Sequence, residues 1–133
     1  MFTLIISASS KQYPPFGPEN TRRALELMKQ FSFNKDHAPR LCTGTFNGEQ
    51  ELSVRVDNCG FAVPHIKAIL QQFNQKCCMV LWEGAAMAEL LYVDGRSTPA
   101  GKVQVWDAYP DTNAAKKDFT HDLAKGEVIW MET

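Results

Sequence analysis

The stretch 43–56, TGTFNGEQELSVRV, places two carboxylates directly behind an Asn-Gly pair. Asn-Gly tolerates the positive φ angles of a two-residue hairpin turn, and the residues on either side alternate as strand residues do. With that pair in the turn, the register sets three cross-strand pairs on one face of the hairpin: Phe46 with Glu49, Gly44 with Glu51, and Cys42 with Ser53. The other face carries the apolar stripe Leu52, Val54 and Val56, which we expect to meet the helices.

Glu51 is the candidate with the most specific chemistry. The missing side chain at Gly44 leaves space beside its carboxylate, and the Phe46 ring lies diagonally next to it. A carboxylate stabilises positive charge and an aromatic face attracts cations. We therefore predict that this face of the hairpin forms the floor of a binding pocket for a small cation, with Ser53 at its border. The alternative is that both glutamates are solvated and only discourage pairing at a sheet edge.

A second group of residues brackets the connection between two later strands. Trp82 and Glu83 end one strand, while Glu89 and Tyr92 lie in the next. A second carboxylate from this region could join the site of Glu51. The alternative is that the aromatic rings pack in the core and the acids face solvent.

Composition excludes several classes of protein. The chain has 133 residues, 44% of them hydrophobic, which predicts one domain over residues 1–133 with its own core. A net charge of -1 gives no electrostatic footprint for nucleic acid. The first residues, MFTLIISASS, are too short an apolar run for a signal peptide or a membrane span, so we expect no membrane partner.

No metal site or cofactor motif is evident in the sequence. The histidines His37, His65 and His121 lack the H-x-x-x-H spacing and are expected in surface or capping roles. The four cysteines lack the C-x-x-C spacing and are expected as buried thiols in a reducing cytoplasm. The chain also lacks G-x-G-x-x-G, P-loop and G-x-S-x-G motifs, which argues against dinucleotide enzymes, NTPases and α/β-hydrolases.

Hydrophobic periodicity predicts the order β-α-β-β-α-β through residue 82: strands at 2–8, 40–46, 49–57 and 76–82, with helices at about 17–31 and 62–75. Further strands are expected at 88–93, 102–106 and 127–131, with a polar stretch at 107–126 that could hold a helical turn. This order is the signature of an α+β, ferredoxin-like split βαβ unit, with two helices on one face of an antiparallel sheet. The C-terminal strands would extend or flank that sheet.

Short strings along the chain resemble, in order and spacing, the phage-encoded S-adenosylmethionine lyases, formerly called S-adenosylmethionine hydrolases: FTLIISA before an arginine-containing helix, TGTF, VRV, CCMVLW, AELLYVDG and DFTHDLAKGEVIW. The likeness spans nearly the whole chain. It implies a homotrimer of ferredoxin-like subunits with active sites between neighbours and no cofactor. It also implies an antirestriction role in the cytoplasm of a bacterial host, through depletion of the methyl donor.

The resemblance also assigns residues. Glu51, just before VRV, matches a functional carboxylate of the family, and either Glu83 or Glu89 matches a second one. Phe46 stands where relatives have a tyrosine, so that hydroxyl is either dispensable or supplied by Tyr13 or Tyr92.

The implied substrate, S-adenosylmethionine, carries its own nucleophile. Its carboxylate can attack Cγ to release methylthioadenosine and homoserine lactone, with Glu51 anchoring the substrate ammonium. Hydrolysis would instead need Glu51 as a general base and would give homoserine. The non-catalytic alternatives are a regulatory module that binds an amino acid or nucleoside, and a protein that blocks a host enzyme. An RNA-recognition module is disfavoured because the strands offer only Trp82 and Arg55.

Overall fold

A computed structural model of the protein describes residues 1–46, 48–84, 87–106, 119–122 and 127–132. For Phe46 and for residues 101–106, 119, 121–122 and 127–132 it describes the backbone. The helices and strands in these ranges are, in chain order, β1 Phe2–Ser7, α1 Pro18–Lys29, a short 3-10 helix Lys35–His37, β2 Arg40–Phe46, β3 Glu49–Cys59, α2 Val63–Gln72, β4 Cys77–Trp82, β5 Met87–Tyr92, β6 Ser97–Trp106, β7 Phe119–Asp122 and β8 Glu127–Glu132.

The first four strands form the predicted ferredoxin-like sheet. Their spatial order is β4-β1-β3-β2, and every neighbouring pair is antiparallel. Strand β3 lies between β1 and β2, and β1 lies between β3 and β4, so each βαβ unit is split by a strand of the other. The α+β class and the ferredoxin-like order are therefore confirmed.

The remaining strands close the sheet into a barrel, in the order β1-β3-β2-β7-β8-β6-β5-β4. The sequence predicts extension of the sheet but not its closure. Strand β7 was also not predicted: it lies inside the polar stretch 107–126 and pairs with β2 through Thr45↔Phe119 and Cys42↔Asp122. The rest of that stretch, 107–118 and 123–126, lies outside the described residues, as does the helical turn expected there.

Both helices pack on the outer face of the β1–β4 half of the barrel. Helix α1 begins with Pro18 and has Glu19 in its first turn, which suits the positive end of the helix dipole. The main core joins the helices to the strands through fully or nearly fully buried side chains: Leu4, Ile6, Ala24, Leu27, Phe31, Val54, Val56, Ile66, Ile69, Leu70, Cys78 and Val80. The predicted apolar stripe of β3 is buried there. No helix in the described part of the chain is long and apolar enough to cross a membrane.

The inner face of the barrel is partly polar. Ile5, Met79 and Ala88 form a small apolar cluster on it. Further along the same face, the Arg40 and Arg55 guanidinium groups contact the Asp57 carboxylate at 2.9 and 3.3 Å. Two arginines near one carboxylate give the inner wall a charged end, and Glu51 lies toward the other end of β3.

His37 corrects one expectation from the sequence. Its side chain is 3% exposed and lies among the rings of Phe31, Phe33 and Phe61. Its Nδ1 lies 3.3 Å from the Phe31 carbonyl oxygen. The surface position is therefore wrong for His37, whereas the other part of the expectation, a capping role, agrees with the contact of its Nδ1 with the carbonyl oxygen of Phe31, two residues after the end of α1.

The cysteines follow the expectation of buried thiols in three cases. Cys42, Cys59 and Cys78 are buried, whereas Cys77 is half-buried. Burial raises the pKa of Cys78 to about 12 from an ordinary value of 9.0, and the neighbouring Cys77 and Cys59 thiols add to the shift. The folded protein therefore holds the neutral thiol of Cys78 more strongly than the unfolded chain does.

Cys78 should make the free energy of unfolding depend on alkaline pH. Below about pH 9 the thiol is protonated in both states and its contribution is fully present. As pH rises toward 12 only the unfolded chain ionises, so the protein loses about 1.4 kcal/mol per pH unit from this group. Urea unfolding at several pH values should show a steeper loss in the wild type than in Cys78→Ala by about this amount, since burial also raises the pKa of the Cys59 and Cys77 thiols, which both proteins keep. Parallel losses in both proteins would contradict the assignment.

Candidate functional site

The predicted hairpin register is present in the structure. Strands β2 and β3 pair Phe46 with Glu49, Gly44 with Glu51 and Cys42 with Ser53. Gly48 has a φ of 79°, in the region that the turn requires. Asn47 lies outside the described residues, and Phe46 is placed by its backbone.

The hairpin is not at a sheet edge. Strand β2 pairs on its other side with β7, where Gly44 lies opposite Thr120, and Gly44 is buried. Protection of an exposed edge therefore does not explain the two carboxylates. They also differ in environment: Glu49 is exposed, with its carboxylate 3.2 Å from the Lys11 ammonium, whereas Glu51 is half-buried.

Glu51 shares the inner face with residues of β4 and β5. The register of β4, β1 and β3 puts Cys77 and Glu51 on this face, and burial followed by the negative charge of Glu51 raises the pKa of the Cys77 thiol. Cys77 pairs directly with Tyr92. The Arg96 guanidinium lies 4.7 Å from the centre of the Tyr92 ring. One end of the inner wall thus combines a carboxylate, a thiol and a phenol.

Ser53 belongs to the same wall. Its side chain is buried, and its residue pairs with Ser7 of β1 and Cys42 of β2. The structure therefore brings four of the sequence-predicted residues to one face: Gly44, Glu51, Ser53 and Tyr92.

Trp82, Glu83 and Glu89 lie apart from Glu51. Glu89 pairs with Val80, whose side chain belongs to the outer core, so Glu89 shares the outer face. The Trp82 ring packs edge-on against Phe2 at 4.9 Å on that same face. Glu83 follows the end of β4 and is exposed. Within one chain, Trp82 and Glu89 lie on the opposite side of the barrel wall from Glu51, and Glu83 lies in the turn that follows β4.

Trp82 and Glu89 line a site of their own. An open cavity of about 360 Å³ lies between the ends of β4, β5 and β6, bordered by Trp82, Met87, Ala88, Glu89, Ser97, Thr98 and Pro99. Its volume is in the range of small-molecule sites, and its wall is mostly apolar with one carboxylate. It could hold a flat aromatic group against the exposed indole of Trp82.

Sequence reasoning missed a set of hydroxyl groups that hold the backbone beside Glu51. The Ser7 and Ser9 hydroxyls both donate to the Leu52 carbonyl oxygen, at 2.7 and 3.0 Å. The only signal in the sequence was the serine run after the first strand, which reads equally well as an ordinary polar loop.

The arrangement suits binding of a cation without a metal ion. Among residues whose side chains are described, no group of three or more histidine, cysteine or acidic residues could hold a metal. At the end of the inner wall away from the Arg40, Arg55 and Asp57 group, the half-buried Glu51 carboxylate shares the face with the Cys77 thiol and the Tyr92 phenol, which favours a compact organic cation.

Comparison with protein-family models matches nearly the whole chain. The model of the S-adenosylmethionine lyase family matches residues 4–132, from β1 to β8. The matched region contains both the inner-face residues around Glu51 and the outer cavity around Glu89. A search of curated proteins found no match to the chain.

Proposed function

Because the chain belongs to the S-adenosylmethionine lyase family, and is thus an enzyme that degrades S-adenosylmethionine, we propose that the substrate's own carboxylate performs the attack. One carboxylate oxygen forms a bond to Cγ while the bond from Cγ to sulfur breaks. The electron pair of that bond goes to sulfur and neutralises the sulfonium. The products are homoserine lactone and 5'-methylthioadenosine, and no proton is transferred.

Selection of one folded conformer is the main task of the site in this reaction. Nucleophile and leaving group belong to the same molecule, so correct orientation supplies much of the rate. The separated charges of the substrate cancel in the transition state, which favours a wall that excludes water. The described surroundings of Glu51, with buried Gly44 and Ser53 and half-buried Cys77 and Tyr92, support such a wall.

We assign Glu51 to the substrate ammonium. A carboxylate held against the sulfonium would stabilise the substrate more than the transition state, because the positive charge of sulfur disappears during the reaction. The ammonium keeps its charge throughout, so an anchor there costs nothing at the transition state. The half-buried position of Glu51 on the inner face is the observation that carries this proposal.

The second carboxylate is proposed to come from a neighbouring subunit of a homotrimer. Glu89 and Trp82 lie on the outer face, so they can meet Glu51 only from another copy of the chain. In such an arrangement the outer cavity would receive the adenine against Trp82. Glu89 fits this role better than Glu83, since Glu89 lines the cavity.

We further propose that the enzyme acts in the cytoplasm of a phage-infected bacterium. Depletion of S-adenosylmethionine removes the methyl donor and cofactor on which restriction-modification systems depend. An antirestriction role follows from the same reaction and needs no additional site on the protein.

The products identify the reaction. Purified protein would be mixed with S-adenosylmethionine in water enriched in oxygen-18, and the products followed by chromatography and mass spectrometry over minutes. We expect methylthioadenosine together with unlabelled homoserine lactone. Labelled homoserine from the first time point, without lactone, would instead establish hydrolysis, the reaction in which Glu51 would be expected to act as general base. Intact substrate would contradict the proposed reaction and favour a binding module.

A further inference from the structure

We propose that Ser9 is a positioning residue that fixes the direction of Glu51. The inference rests on the proposed role of Glu51 as the substrate anchor. Ser9 lies in the loop after β1, outside the strands, and its hydroxyl contacts the backbone of Leu52. Its effect is exerted through the backbone of Leu52, the residue that follows Glu51.

The hydroxyl of Ser9 extends the pairing of β1 with β3 beyond its last backbone pair, Ser7 with Ser53. It donates to the Leu52 carbonyl oxygen at 3.0 Å and accepts from the Leu52 N–H at 3.2 Å. That N–H belongs to the peptide bond between Glu51 and Leu52, so the second bond restrains the backbone of Glu51 itself. One side chain thus takes the place of a strand residue at this position.

Ser9 is itself held in place from two sides. Its N–H donates to the Ser7 hydroxyl at 3.0 Å, and its carbonyl oxygen accepts from the Gln75 amide at 2.9 Å. These bonds tie the loop to β1 and to the segment that leads into β4. The hydroxyl of Ser9 is therefore presented to Leu52 by a fixed backbone.

Asn20 holds the next residue of the loop. Its side chain is 1% exposed; it accepts from the Ser10 N–H at 2.8 Å and donates to the carbonyl oxygens of Ser10 and Pro14 at 3.1 and 2.9 Å. Because the donors and the acceptor of this buried amide all bond to the loop backbone, the loop is held firmly against α1. The path from α1 to Glu51 thus runs through Asn20, Ser10, Ser9 and Leu52.

This path matters because the proposed reaction depends on one substrate conformer. A shift of the anchor by about 1 Å can cost two orders of magnitude in rate when orientation supplies the acceleration. Loss of the Ser9 hydroxyl removes the hydrogen bond to the Leu52 N–H and so weakens the restraint on the peptide between Glu51 and Leu52, while the Ser7 bond to the Leu52 carbonyl oxygen and the carboxylate itself are kept. The expected result is a slower reaction with the anchor still present.

The test compares three variants with the wild type. Ser9→Ala removes the hydroxyl, Ser9→Thr retains it, and Ser32→Ala removes an exposed hydroxyl that donates to the Met28 carbonyl oxygen of its own segment at 2.9 Å. We expect Ser9→Ala to lower kcat/KM for S-adenosylmethionine roughly tenfold to a hundredfold, mainly through kcat. Ser9→Thr should recover most of the loss, and Ser32→Ala should match the wild type.

Amide hydrogen exchange at Leu52, measured by NMR, provides a readout that does not depend on turnover. Exchange should be faster in Ser9→Ala than in the wild type, with Ser9→Thr close to the wild type. Unchanged exchange at Leu52 in Ser9→Ala would overturn the structural part of the inference.

The outcomes separate this inference from the proposed function. If Glu51→Gln is impaired but Ser9→Ala has the kcat/KM of the wild type, the positioning role of Ser9 is overturned. The proposed lyase reaction is then unaffected. A wild-type protein that leaves S-adenosylmethionine intact would overturn the proposed reaction, and with it the catalytic purpose of the Ser9 contact, even where exchange at Leu52 responds as expected.

Discussion

Replacement of Glu51 by glutamine is expected to lower kcat/KM for S-adenosylmethionine by about two orders of magnitude. Glutamine has nearly the same shape, so the wall keeps its packing, but a half-buried ammonium would lose its countercharge. Removal of one partner from such a pair costs roughly 3 kcal/mol or more, which corresponds to about a hundredfold in rate. The measurement is steady-state kinetics of methylthioadenosine release, with thermal unfolding to confirm that Glu51→Gln is folded.

Glu49→Gln is the matched control for this experiment. Glu49 lies on the same strand and the same face, two residues earlier, but its side chain is exposed and its ion pair with Lys11 is at the surface. Exposed pairs contribute little, so we expect kcat/KM within about threefold of the wild type. Equal losses in Glu49→Gln and Glu51→Gln would point to a general effect of charge, and an unimpaired Glu51→Gln would remove the anchor from the mechanism.

The individual kinetic constants distinguish the two possible roles of Glu51. If Glu51 holds the ammonium equally in the substrate and in the transition state, its loss would mainly raise KM. An anchor that selects the reactive conformer, or a general base, would mainly lower kcat. The products decide between these last two, because a general base acts on water and gives labelled homoserine.

The hairpin around Glu51 was predictable because its register depends on local chemistry. An Asn-Gly turn of two residues fixes which residues face each other, and alternation then decides which side chains meet the helices. Leu52 is nearly buried and Val54 and Val56 are fully buried on the helix side, as expected. The ferredoxin-like order followed from the same kind of local periodicity, applied to two helices and four strands.

Closure of the barrel was not predictable from local patterns. Strand β7 has four residues in a polar stretch, and its only role visible in the backbone is to join β2 to β8. Such a short strand exists because two neighbours offer hydrogen bonds, and tertiary pairing of this kind leaves little trace in periodicity. The face of the sheet on which Glu89 lies could not be predicted either, because it depends on the pairing of Glu89 with Val80.

The loop that holds Glu51 shows a further limit of sequence reasoning. Ser9 and Leu52 are 43 residues apart, and Gln75 and Ser9 are 66 apart. Hydrogen bonds from side chains to a distant backbone follow no period, so they become visible only when the fold brings the segments together. In sequence, Asn20 resembles any polar residue in the first turns of a helix, yet it is among the most buried side chains of the protein.

The position of Glu51 also depends on the core beneath the hairpin. Phe31, just after α1, is the largest fully buried side chain described in the protein. Its ring stacks on Phe61 at 5.2 Å and meets the buried His37 ring edge-on at 6.2 Å. The same cluster includes Val54 and Val56 of β3, so the packing that holds α1 also supports the strand that carries Glu51.

Phe31→Ala is accordingly expected to lower the free energy of unfolding by about 3–5 kcal/mol, because it removes a buried ring and leaves a cavity that the neighbours fill only in part. Phe33→Ala is the matched control: its ring also stacks on Phe61, but it is 71% exposed, so we expect a loss below about 1 kcal/mol. Urea unfolding at one fixed protein concentration, which keeps any effect of assembly constant, measures both. Similar losses of unfolding free energy in the two variants would show that contact with Phe61, and not burial of the Phe31 ring, determines the stability of this core.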